Sequence, residues 1–113
     1  MLYVLPDKTI RLTRGDTAYL TFPLVTATGE EYVMSSTDKL VLSLKKAVRD
    51  DQYILQKEVV GTNTIKIEPT DTHELQFIKY KYDVQLTTAT GDVFTIIDVT
   101  TFEILPEVTC HAE

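Results

Sequence analysis

From Lys79 to Leu86 the chain alternates without a slip, with Tyr80, Tyr82, Val84 and Leu86 set against Lys79, Lys81, Asp83 and Gln85. A strand places successive side chains on opposite faces, so this run predicts a strand with one face in a core and one in water. The same period recurs in residues 17–24, where Ala18, Leu20, Phe22 and Leu24 oppose Thr17, Tyr19, Thr21 and Pro23. Ile10 and Leu12 alternate with Thr9, Arg11 and Thr13, while Leu40, Leu42 and Leu44 share a face opposite Ser43 and Lys45. Residues 64–68 form a shorter alternating strand, and residues 53–60 a strand of ambiguous facing. Composition agrees, because Thr, Val, Ile, Tyr and Phe make up 47 of the 113 residues and all favour strands. That composition argues against a helical bundle.

The breaks between strands carry turn chemistry. Arg14-Gly15-Asp16 predicts a hairpin turn or a corner. Leu24-Val25-Thr26-Ala27-Thr28-Gly29-Glu30 is echoed by Leu86-Thr87-Thr88-Ala89-Thr90-Gly91-Asp92. Because the flanks do not match, we read the echo as one hairpin solution used twice. Pro69 to Leu75 differs in kind, since Asp71 with Glu74 has the spacing of a capping box and predicts one helical turn near residues 70–76. That turn is expected to bring Leu75, and Phe77 or Ile78, into the core. A long strand should run from Val93 to about Leu105, bulged near Ile97-Asp98 where the apolar phase slips.

Some 7–9 short strands separated by turns predict an all-β, antiparallel β-sandwich of immunoglobulin-like type. Tyr80 and Tyr82, just after the helical turn, are placed to bond back to the corner backbone as a tyrosine does in such domains. A Cys…Trp…Cys signature is absent from the sequence, so a true immunoglobulin domain is excluded. The expectation is one domain over residues 1–113, with a polar tail at 106–113; a chain of this length can bury about two thirds of its unfolded surface.

The formal charge of −6 argues against nucleic-acid binding, which needs a basic surface. Lys79-Tyr80-Lys81 reads as strand alternation. No apolar run approaches the roughly 18 residues of a membrane span, and the N-terminus does not read as a signal peptide. The single cysteine, Cys110, has no partner for an intramolecular disulfide, which suits synthesis in a reducing cytoplasm. Neither His73 nor His111 stands in a catalytic or metal-binding motif, and Asp50, Asp51 and Asp71 read as turn and cap residues. No enzyme, cofactor or metal is expected. Arg14-Gly15-Asp16 also matches the integrin-recognition tripeptide, though turn formation accounts for it.

Three stretches together resemble a known family. They are residues 9–17, residues 69–75 followed by Tyr80-Lys81-Tyr82-Asp83-Val84-Gln85-Leu86, and Gly91-Asp92-Val93-Phe94-Thr95. The chain resembles small β-sandwich structural proteins of tailed phages and prophages of Gram-positive bacteria. More distantly, it is similar to the N-terminal domain of phage baseplate upper proteins. The resemblance implies a non-enzymatic virion protein of tail or baseplate, made in the bacterial host cytoplasm, that acts by association with itself or with other virion proteins. Candidate interface residues are Tyr19 and Thr21, on the outward face of their strand, and the apolar Leu2, Tyr3 and Val4. Those three residues either pair with a neighbouring copy or complete the domain's own sheet. The alternative function is a carbohydrate-binding or adhesive module for a bacterial surface glycan, with exposed Tyr or Phe rings as stacking platforms.

Overall fold

A computed structural model of the protein describes residues 2–4, 7–26 and 28–107. Among the described residues run eight strands: β1 (Leu2–Val4), β2 (Ile10–Thr13), β3 (Ala18–Thr21), β4 (Lys39–Lys45), β5 (Leu55–Val60), β6 (Thr64–Ile67), β7 (Lys79–Thr87) and β8 (Val93–Leu105). One helical turn, α1 (Pro69–Thr72), lies between β6 and β7. A six-stranded sheet in the order β1-β2-β8-β7-β4-β5 packs over a two-stranded sheet of β3 and β6. The chain is therefore an all-β sandwich.

The core forms where the predicted faces meet. Leu40, Leu42, Leu44, Tyr80, Tyr82, Val84, Leu86, Phe102 and Ile104 of the large sheet are buried against Ala18, Leu20, Ile65 and Ile67 of the small one. Beyond β3, Phe22 and Leu24 keep the alternation and stay buried, so they extend the thin second layer past its last ladder bond. Tyr82 meets the Phe102 ring edge-on, with centroids 5.8 Å apart.

One pairing departs from the antiparallel expectation. β2 lies parallel to β8, with Ile10 opposite Phe102 and Leu12 opposite Ile104. Parallel neighbours need a long crossover between them, and the rest of the fold supplies it. The reason is the corner after β2. Arg14-Gly15-Asp16 does not fold β3 back beside β2 but sends it into the other sheet. There the Gly15 amide donates to Thr72 Oγ1 at 2.9 Å, tying the corner to α1.

The capping box lies three residues earlier than predicted. Glu68, not Asp71, is the N-cap, and Asp71 accepts the Glu68 N–H through Oδ2 at 2.7 Å. Pro69 decides this register: it has no N–H to satisfy and its fixed φ suits the first helical position. Leu75 and Ile78 pack against the core, whereas Phe77 stays exposed with the Arg14 guanidinium 4.2 Å above its ring. Downstream, the Tyr80 hydroxyl accepts the Gln76 N–H at 3.0 Å, which is the corner bond expected of Tyr80 or Tyr82.

The slip in β8 is present as two extra residues. Against β7, Tyr82 pairs with Thr100, Val84 with Ile97 and Gln85 with Thr95. Unbroken alternation back from Phe102 would aim Asp98 at the core. The bulges put Ile97 there instead and leave Asp98 exposed. The echoed hairpins are also present. Thr26 N–H donates to Glu30 and Gly29 N–H to Thr26, at 2.8 and 2.9 Å; Thr88 with Asp92 and Gly91 with Thr88 repeat both bonds at the same lengths.

Candidate functional site

Two surfaces remain after the core and corners are accounted for. The first is a seam at one side of the sandwich. β2 pairs with β8 only from Phe102 onward, so residues 93–99 of β8 have β7 on one side and, among the described residues, no strand on the other. Within this free half Val93 and Phe94 are exposed, Phe94 by 53%. Phe94 lies opposite the buried Leu86, so it belongs to the core-facing side yet is only half covered.

β3 borders the seam from the other sheet. Tyr19, Thr21, Phe22 and Pro23 line a cavity of about 280 Å³ together with Ile97 and, from the elbow before β2, Lys8. Tyr19 is 63% exposed, with Lys66 Nζ 5.7 Å from its ring centre, and Thr21 Oγ1 lies 2.9 Å from Thr64 Oγ1. Both sequence candidates therefore sit on the rim of a cavity, a placement that alternation alone does not reveal. That elbow is held by Tyr82, whose hydroxyl donates to the Lys8 carbonyl. Lys8 adopts φ of +71°, unfavourable for a residue with a Cβ by about 1–2 kcal/mol. Burial first, and then Asp7, pushes the Tyr82 hydroxyl up to about 12, so it stays a donor at any ordinary pH.

Leu2, Tyr3 and Val4 form β1 and pair with Leu12, Arg11 and Ile10 of the same chain. They complete the domain's own sheet, as its edge strand. Their side chains lie outside the described residues, as do Met1, Leu5, Cys110 and His111.

The second surface is the outward face of the large sheet. Ser43 pairs with Asp83, Lys45 with Lys81 and Val41 with Gln85 across β4 and β7, while β5 brings Gln56 opposite Ser43. Val48 and Tyr53, from the connection after β4, and Val99, from the bulge in β8, complete a concavity of about 280 Å³. The tyrosine ring is 52% exposed, with Lys45 Nζ 4.9 Å from its centre. The Asp83 carboxylate has no hydrogen bond or ion pair among the described residues. Burial raises its carboxyl above the ordinary range, and Lys45 opposes that shift.

The remaining motifs are absorbed by the fold. Arg14 spreads over Phe77, meets Glu107 Oε1 at 2.8 Å and donates to the Leu75 carbonyl at 3.3 Å, so the arginine of the tripeptide is engaged within the chain. His73 Nδ1 donates to the Thr70 carbonyl at 2.8 Å. Asp50 accepts from the Ala47 amide and Asp71 pairs with Lys57 Nζ at 2.9 Å. Among the described residues no cluster of three or more ligating side chains is placed to hold a metal, and no helix is long and apolar enough to cross a membrane.

No known protein family, curated protein or solved structure matches the chain.

Proposed function

We propose that this chain is a non-enzymatic structural protein of a tailed-phage or prophage virion, of tail or baseplate, that works by associating with copies of itself or with neighbouring virion proteins. The resemblance carried by residues 9–17, 69–75, 80–86 and 91–95 supplies the class. The observation that carries the mode of action is the free half of β8. An unpaired strand edge offers a row of amides and carbonyls to an added strand, and side-chain pockets beside it choose which strand is accepted. Here the edge runs past the half-exposed Phe94 ring toward the cavity rimmed by Tyr19 and Thr21. Exposed aromatic rings beside a cavity are the usual anchors of protein interfaces.

Light scattering on a sizing column, over a concentration series, tests the reading. Association into a closed ring of copies is the expected outcome, since closed symmetry is how repeated subunits finish an assembly. A concentration-independent monomer that is also absent from purified particles would count against it.

A further inference from the structure

The outward face of the large sheet carries more chemistry than solubility asks of it. A solvated sheet face holds charges in water or in exposed pairs. The Asp83 carboxylate instead stands half-buried at the middle of the face, without a hydrogen bond among the described residues, in register with Ser43 and one position along the face from the Lys45–Lys81 pair. The Gln85 amide is likewise unbonded among them, and the Gln56 amide uses one donor, to Ser43 Oγ at 3.1 Å. The Tyr53 ring, with Lys45 Nζ 4.9 Å from its centre, and the apolar side chains of Val41, Val48 and Val99 line the same concavity.

From this arrangement we infer that the concavity around Asp83 binds a neutral sugar ring, stacked on Tyr53 and hydrogen-bonded through its hydroxyls to Asp83, Gln56 and Gln85.

Elimination by charge supports the choice. A phosphate or other anion would meet the Asp83 carboxylate, and a cation would meet two lysines. A wholly apolar ligand would leave Asp83 and both amides without partners in a drier site, at a cost of roughly 1–3 kcal/mol for each group so stranded. A pyranose satisfies all of them. Each hydroxyl both donates and accepts, so adjacent hydroxyls can give to the carboxylate while taking from an ammonium or amide. The C–H face of the ring packs on the aromatic ring and the valines. The volume of about 280 Å³ lies at the small end of ligand sites, which suits one ring of a longer glycan rather than a whole oligosaccharide. The concavity opens on the outward face of the large sheet and the seam between the two sheets; they meet at the bulged β8, which gives Val99 to one and Ile97 to the other, and at Tyr82.

The test is a titration of the isotope-labelled full chain, followed by amide chemical shifts. The probes are methyl glycosides of glucose, galactose, N-acetylglucosamine and rhamnose, with inorganic phosphate as the anionic control. The expected result is saturable shifts for at least one sugar, confined to residues 41–45, 53–56 and 81–85, and none for phosphate. Asp83→Asn and Tyr53→Ala should each weaken that binding tenfold or more, whereas Tyr19→Ala should leave it unchanged. Tyr53 is on the surface and Asp83→Asn removes a half-buried charge, so both variants are expected to fold; their unperturbed spectra serve as the check. Absence of saturable shifts with every sugar overturns the inference. So does binding that maps elsewhere, or binding that survives both substitutions.

Discussion

Asp38 is buried to 2% exposure and its carboxylate is held by neutral donors. The Tyr32 hydroxyl donates to Oδ2 at 2.6 Å, Ser35 N–H donates to the same oxygen at 3.1 Å, and Ala89 N–H to Oδ1 at 3.3 Å. Since Gly61 N–H also donates to its carbonyl, this one residue ties the loop before β4, the turn after β5 and the tip of the second hairpin. The Tyr32 bond first, and then the Ser35 amide, hold its carboxyl below the ordinary range. A depressed folded pKa stabilises the fold fully above the unfolded value and is lost as pH falls through the folded one. Asp38→Asn should therefore lower Tm at neutral pH, and the gap to the wild type should narrow below about pH 4, as thermal melts across pH would record. Asp83 has the opposite sign. Burial raises its pKa, so its charged form costs stability at neutral pH and the cost disappears on protonation. Asp83→Asn should raise Tm at pH 7, an outcome expected of a residue retained for binding rather than for folding.

Among the elements, the repeated hairpin isolates what a turn demands. Gly29 and Gly91 sit at φ of +86° and +88°, and a methyl group at either would meet no atom within 4 Å. Replacing either by Ala should thus cost only the backbone term, about 1–2 kcal/mol, and Asn should cost less because it enters the left-handed region more readily. Equal costs at both sites, measured by urea unfolding, are expected if the two turns are the same local solution. The elbow before β2 gives a second case. Tyr82→Phe keeps the ring against Phe102 but strands the Lys8 carbonyl, with an expected loss of about 1–2 kcal/mol in the same measurement.

For the whole molecule, stability and association should separate. Leu42 is fully buried between the sheets, so Leu42→Ala should cost about 2–5 kcal/mol. Phe94, by contrast, is half exposed, and Phe94→Asp should change unfolding free energy by about 0.5 kcal/mol or less while abolishing the proposed self-association, as light scattering would record. A variant as unstable as Leu42→Ala would instead mark Phe94 as core.

What the sequence determined by itself was local and two-faced. Period-2 alternation identified which side chains of β3, β4 and β7 are buried, because each residue's face follows from its neighbours on the same strand. Turn residues located the two hairpins, and the slip of the apolar phase at Ile97-Asp98 announced a bulge. Tertiary structure alone decided which strands are neighbours. Alternation says nothing of partner or register across tens of residues, so the parallel meeting of β2 and β8, and the half of β8 left free by it, were not legible. The capping box slipped by three residues because spacing alone did not weigh Pro69. The concavity around Asp83 was invisible for the same reason as the seam: Ser43, Tyr53, Asp83 and Val99 come from separate segments, and only the pairing of β4 with β5 and β7, and of β7 with the bulged β8, brings them onto one face.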